Sequence, residues 1–273
     1  MSAPAIALPL RSCLQYARVG FVNTLAFRLR YYTGIVTYLI NVTVYYFIWK
    51  ALYASDPNFA AGFGFEEMVT YVAVGWVIRS VYFNNIDQNM ATDVLEGNIA
   101  NTMLKPVSVQ TIYVGQALGE AFFRLIMLTV PAGVAVTLVF PVQGPANPRA
   151  FGLFLLSLAA SVVLTGALNF IVGCCAVRLK SILGLLRAKF YVQELLSGLL
   201  VPMTMFPPAL QTVLAWLPFQ HIAYTPLRIY LGKLEGAAAL EALSVQALWA
   251  VALLALGSRF WHVMARKITI HGG

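Results

Sequence analysis

Between Leu196 and Gly232 the chain is almost wholly apolar, yet prolines interrupt it at positions 202, 207, 208, 218 and 226. Proline lacks the backbone donor and its ring clashes with the preceding turn, so no straight helix runs through this stretch. Backbone freed in that way cannot face hydrocarbon, because lipid offers N–H and C=O groups no partner. It is tolerated only where protein or a cavity surrounds it. The stretch therefore reads as a membrane helix that breaks at Pro202, followed by a re-entrant or interfacial hairpin on one face of a pathway through the membrane.

The rest of the chain agrees. Of its 273 residues 60% are hydrophobic and 10% are charged, where charged residues make up about a quarter of a soluble domain. This is the composition of a polytopic membrane protein. The formal charge of +8 would suggest nucleic acid in a soluble chain, but here the basic residues flank apolar runs, as the positive-inside rule requires. No nucleic-acid role is expected. Cys13, Cys174 and Cys175 give no disulfide framework and read as small buried side chains. His221, His262 and His271 are scattered without a metal-ligand spacing. Apolar residues precede Arg11 instead of following a basic region, so a cleavable signal is not expected.

Taken in order, residues 5–30 predict an amphipathic interfacial helix, with Leu10, Leu14, Ala17 and Phe21 on one face and Arg11, Gln15 and Arg18 beside it. Spans are expected at 31–52, 65–83, 112–140, 151–177, 190–206 and 243–264. The first is rich in aromatics, among them Tyr31, Tyr32, Tyr38, Tyr45 and Trp49, which serve either as interfacial anchors or as a stacking surface. Asn41 is polar near mid-span and is expected to bond another helix. Residues 84–110 break the hydrophobic run and form either a short helix on the membrane face or a solvated loop. From Val107 the pattern is helical without interruption until Pro131. Glu120 and Arg124 lie four apart on one face of that helix, in the favourable acid-before-base order. An ion pair inside a membrane is a functional candidate; a structural pair near the interface is the plainer reading. RLKSILGLLRAK (178–189) reads as a basic loop, and Glu194 sits near the start of the fifth span.

An even number of spans puts both ends on one side. With six, Arg11, Arg18, Arg28, Arg30, Arg79, Lys105, Arg178, Lys180, Arg187, Lys189, Arg259, Arg266 and Lys267 fall on that side. Lys50, Arg149, Arg228 and Lys233 fall on the other. That asymmetry orients both termini to the cytoplasm. The expected fold is all-α, one transmembrane domain over 1–273, with a hairpin between the fifth and sixth helices.

Two stretches now carry a resemblance: DVLEGNIANTMLKPVS (93–108) and LLSGLLVPMTMFPPALQTVLAWLPF with the following TPLRIYLG. Both resemble ABC-2 type permeases, the transmembrane subunits of ATP-binding-cassette exporters, in particular small bacterial six-span subunits. The order of elements agrees over nearly the whole chain. The resemblance implies a permease in the bacterial inner membrane, among lipids, that pairs with a second permease, identical or related. Two copies of a cytoplasmic ATPase would drive the pair. No phosphate loop of the G-x-x-x-x-G-K-[ST] kind is present, so the chain is not expected to be an enzyme or to bind a cofactor. ATP and magnesium would belong to the partner. The family's coupling helix maps onto 91–103, with Asp93, Glu96, Gly97 and Asn98 as the contact residues. Asn41, Tyr45, Met203 and Met205 are candidates to line the pathway, and Pro202, Pro207 and Pro208 form an outer gate. The competing reading is a secondary transporter or channel that works alone, with Glu120 and Arg124, and Arg79 and Glu194 nearby, as its charged cluster. An intramembrane enzyme has no supporting catalytic set.

Overall fold

Apolar runs of helical length make a helical protein. The computed structural model describes residues 10–26, 29–57, 59–60, 62–179 and 182–266, less the side chains of 29–32. Arg28, Lys180, Lys267, His271, residues 5–9 and the side chains of Arg30, Tyr31 and Tyr32 lie outside the described residues. In chain order the helices are α1 (Leu10–Ala26), α2 (Leu29–Ser55), α3 (Phe65–Tyr82), α4 (Ile86–Leu95), α5 (Ile99–Met103) and α6 (Val109–Arg124). They continue with α7 (Val130–Val139), α8 (Pro148–Cys174), α9 (Leu183–Leu196), α10 (Pro208–Ala215), α11 (Tyr224–Tyr230) and α12 (Gly236–Ala265). No strand occurs among the described residues.

Among the described residues four segments are long and apolar enough to cross a membrane: Thr33–Ser55, Val109–Val139, Pro148–Val177 and Gly236–Ala265. The two other expected crossings are weaker by the same measure. Helix α3 has 18 residues and carries Glu66, Glu67 and Arg79. Helix α9 has 14 residues, about 21 Å at the usual rise, against a hydrocarbon core of about 30 Å.

Helix α8 is the central post, packed by α12, α4, α11, α6 and α3. Its buried residues mix large apolar side chains (Phe154, Leu158, Leu164, Phe170) with small or polar ones (Ser157, Ser161, Thr165, Gly166, Ala167, Asn169, Gly173). Small faces let helices approach closely in a membrane, where lipid removes the hydrophobic drive between them. The hydroxyls of Ser157 and Ser161 are satisfied across the interface, whereas Thr165 Oγ1 has no partner. Gln246 of α12 donates to the Ser157 carbonyl at 2.9 Å and the His221 carbonyl at 2.8 Å, and accepts from Ser157 Oγ at 2.9 Å.

Helix α1 makes a contact that the expected interfacial helix did not include. Leu10 and Leu14 are 73% and 62% exposed, and the buried positions are Cys13, Gly20 and Thr24. This face lies along α6, whose Gly115 and Gly119 form a G-x-x-x-G pair. A Cβ at Gly119 would strike the Ala17 carbonyl, and one at Gly20 the Gln116 carbonyl. The backbones touch, and only glycine permits that.

The interruption before Pro131 also moves. Residues Leu125–Thr129 form a π-helical turn, closed by Val130 N–H donating to the Leu125 carbonyl, and Pro131 sits inside the first turn of α7. The wider turn absorbs the proline that a plain α-helix would not. Residues 84–110 resolve into helices α4 and α5 instead of a loop. The predicted basic loop is helical from Leu183, so Arg187 and Lys189 belong to α9, which ends at Leu196 and does not run on to Phe206.

In the broken stretch each proline opens an element, where its missing N–H costs nothing. Pro202 precedes a 3-10 turn over Met203–Met205. Pro207 caps α10 and Pro208 is its first residue. Pro218 precedes the turn Phe219–His221, and Pro226 lies in the first turn of α11. The stretch folds back on α9, with Tyr224 N–H donating to the Ser197 carbonyl at 3.0 Å. Gly198 makes the bend possible at φ +79.

Candidate functional site

Helix α3 ends at Tyr82, and the chain turns through Phe83, Asn84 and Asn85 into α4. Around this elbow two polar cavities meet. One, of about 340 Å³, lies between α2, α3 and α6; Thr37, Tyr38 and Asn41 face it from α2, Trp76 and Arg79 from α3, and Glu120 and Arg124 from α6. The other, of about 360 Å³, is lined by Asn23 and Thr24 of α1, Asn84 and Asn89 of the elbow and α4, and Tyr113 and Gln116 of α6. Asn85 and Glu120 line both. Side-chain amides, hydroxyls and charged groups line both, so the pair forms a polar recess in an apolar body.

Three ion pairs surround the recess. Arg79 Nε donates to both Glu194 carboxylate oxygens, at 3.0 and 3.1 Å. Trp76, Phe83 and Phe190 surround that guanidinium, with centroids 5.4, 5.0 and 5.6 Å away. Arg124 pairs with Glu120 one turn back and donates Nη1–H to the Phe83 carbonyl at 2.8 Å. Its guanidinium lies 5.5 Å from the Phe83 ring, which thus sits between two arginines. Lys189 Nζ is 2.7 Å from Asp87 Oδ2 and donates to Asn169 Oδ1 at 2.7 Å. Asn169 in turn donates to the carbonyl and the side-chain oxygen of Asn84, both at 2.9 Å. Each cation has its acid. Burying charges is tolerated on that condition, and removing one partner typically costs about 3–5 kcal/mol.

These contacts tie α9 to the rest at three levels. Lys189 reaches α4, Glu194 reaches α3, and the Gly198 carbonyl just past its end accepts from Tyr71 Oη of α3. A displacement of α4 therefore has a charged route to α9 and on to the proline-broken stretch.

The turn between α4 and α5 forms the tip of the segment. Glu96, Gly97 and Asn98 are exposed, Gly97 at φ +79, and Asn98 Nδ2 donates to Glu96 Oε2 at 3.0 Å. Leu95 and Leu104 are 66% and 84% exposed. Asp93 differs: its carboxylate accepts from Tyr113 Oη of α6 and so braces the segment from within.

Of the expected pathway residues, Asn41 lies in the cavity wall, and Tyr45 stands against Trp76 with ring centroids 5.9 Å apart. Asn41 does not bond another helix; its amide donates to the Thr37 carbonyl of α2 itself at 2.8 Å. Met203 and Met205 pack with the main core beneath the hairpin and are not among the cavity's lining residues. Glu120 and Arg124 do pair, and they do so at the cavity. Sequence reasoning placed Lys189 in a loop, gave Asp87 no partner and did not single out Asn84 or Asn169. It also missed the Gly115/Gly119 pair, which the G-x-x-x-G spacing could have flagged.

A helical body with four crossing-length apolar helices among the described residues fits a multi-pass membrane protein. The model of the ABC-2 family transporter protein matches residues 39–272, and the chain belongs to that family. Among curated proteins a search finds no significant match.

Proposed function

We propose that this permease is the transmembrane subunit of an ATP-binding-cassette exporter in the bacterial inner membrane, with both termini in the cytoplasm. In this reading α3 and α9 complete six crossings. Short helices α10 and α11 form a re-entrant hairpin in which Pro202, Pro207 and Pro208 act as the outer gate. A separate ATPase docks on 91–103, one copy for each of two permeases. The exposed apolar faces of α2 (Val36, Ile40, Val44) and α9 (Tyr191, Val192, Leu195) are where the second permease would pack.

The observation that carries the reading is the tip of α4–α5. It presents Leu95, Glu96, Asn98 and Leu104 outward, while Asp87 and Asp93 fasten its inner side to α9 and α6. A segment that is open to a partner and rigidly attached to the bundle transmits a push. Closure of the ATPase would move α4, and the Asp87–Lys189 and Arg79–Glu194 pairs would carry that motion to α9 and the gate. The recess at Asn41, Arg79 and Arg124 would open to opposite sides in the two states, and substrate moves to the extent that those states bind it differently.

Purification with native neighbours tests this. The expected result is co-isolation of an ATPase subunit and vesicle transport that stops without ATP. Transport that persists in ATP-free vesicles under an ion gradient, with no ATPase present, overturns it in favour of a stand-alone secondary transporter.

A further inference from the structure

A third recess, of about 360 Å³, lies between α3, α7 and α8 and is unlike the other two. Its walls include Val77 of α3, Gly133 and Val134 of α7, and Phe154, Leu155 and Leu158 of α8. The π turn accounts for it: α6 packs on α8, whereas α7, beyond the turn, packs on α2 and α3. The divergence leaves a wedge between α7 and α8.

We propose that this wedge is a binding site for one acyl chain of a membrane phospholipid. The polar atoms around it are already engaged. Thr129 Oγ1 is hydrogen-bonded to Ser80 Oγ, Thr137 donates to the Val134 carbonyl at 2.9 Å, and Tyr230 Oη donates to the Gln143 carbonyl at 3.1 Å. Their donor hydrogens are taken up within the protein, so the wedge offers water or a polar solute little. The rim is apolar and open, with Val130, Val134 and Leu155 at 56%, 55% and 44% exposure, and it lies on two of the segments long enough to cross a membrane. Hydrocarbon is therefore what meets it. A helix is too wide: at a diameter of about 10 Å and a rise of 1.5 Å per residue, this volume holds only about three residues. For scale, an apolar cavity of about 150 Å³ takes up benzene, so the wedge has room for a longer and thinner guest.

The site rests on the membrane crossing alone and not on any ATPase partner, so its test stands apart from that of the exporter reading. The probe is phosphatidylethanolamine bearing a photoactivatable diazirine midway along one acyl chain, added to vesicles containing the full-length protein. After illumination, labelled peptides are mapped by mass spectrometry. The expected result is labelling of 130–137 and 151–158 several-fold above that of the exposed face of α12 around Leu248 and Val251. Leu155→Trp fills the wedge from its open rim, and Gly133→Leu fills it from α7. Each should cut wedge labelling several-fold and leave α12 labelling unchanged. Gly133→Leu is the more intrusive change, so Leu155→Trp, checked for a monodisperse elution profile, decides the matter. Even labelling of wedge and α12, or wedge labelling that survives Leu155→Trp in the folded protein, overturns the proposal.

Discussion

Arg79 and Glu194 form a closed contact inside an aromatic cage, with Nε 3.0 and 3.1 Å from the two carboxylate oxygens and three rings around the guanidinium. The pair joins the last turn of α3 to α9, the short helix that leads into the proline-broken stretch. Neither residue has water in quantity to fall back on, with side chains 14% and 11% exposed. Replacing Arg79 by Met or Glu194 by Leu alone should therefore destabilise the protein by about 3–5 kcal/mol. The double replacement should cost less than the sum, with a coupling energy of about 1–3 kcal/mol. Thermal unfolding of the four proteins in detergent gives the cycle. Additive losses would mean that the contact is incidental.

The α1–α6 contact makes a second prediction. A methyl group at Gly119 collides with the Ala17 backbone carbonyl, which no rotamer change relieves. Gly119→Ala should therefore lift α1 from α6, and the buried Cys13 thiol should become reactive to a maleimide. Gly152→Ala is the control, because a Cβ there meets open space. Cys13 labelling equal in both variants would show that α1 is held by other means.

What could be read in advance followed from how locally each residue acts. Proline constrains its own turn, so the breaks at Pro202 and Pro207 were visible without any partner. The protein-facing side of α1 was not. Leu10 and Leu14 were expected on the face toward the membrane, and they are exposed, but nothing in that pattern pointed to the contact with α6. In a membrane the surroundings are as apolar as leucine, and the small residues Cys13, Ala17 and Gly20 turn inward because they permit backbone contact. Lys189 was assigned to a basic loop because its charge marks the end of an apolar run. Asp87, far away in sequence, neutralises it, and the helix begins before it. Long-range charge pairing has no period for a sequence pattern to show.

The Asp87–Lys189 pair is the link between α4 and α9, and its loss should be felt as uncoupling before unfolding. Lys189 retains Asn169 Oδ1 as an acceptor when Asp87 is changed to Asn. Asp87→Asn, which keeps a neutral oxygen beside the ammonium, should accordingly cost less stability than Lys189→Met and weaken stimulation of the partner's ATP hydrolysis by substrate. Lys189→Met, which leaves a buried carboxylate alone, should damage both. Steady-state hydrolysis by the reconstituted complex, with and without substrate, separates the outcomes. Unchanged stimulation in Asp87→Asn would remove this pair from the route.

The exposed tip and the inner brace of the same segment make opposite predictions, and together they test where the partner docks. Glu96 and Leu104 face solvent with no bundle contact to lose, so Glu96→Lys and Leu104→Asp should leave the unfolding temperature unchanged. Surface changes of this kind are worth within about 0.5 kcal/mol. If the ATPase sits on this tip, the same two changes should weaken its co-purification and abolish its stimulation. Asp93 is expected to behave differently although it lies one helical turn from Glu96. Its carboxylate is taken by Tyr113, so Asp93→Lys places a cation against a hydroxyl in a half-buried position and should lower stability as well as coupling. Tyr113→Phe isolates the brace: it removes the hydrogen bond, at a cost of about 1 kcal/mol or somewhat more for a charged acceptor, and leaves the tip chemically intact. Coupling retained in Tyr113→Phe but lost in Glu96→Lys would assign partner contact to the tip and mere support to Asp93. Coupling lost in Tyr113→Phe with binding intact would show that the brace transmits the push, because the partner would still be held and only its motion would go unread.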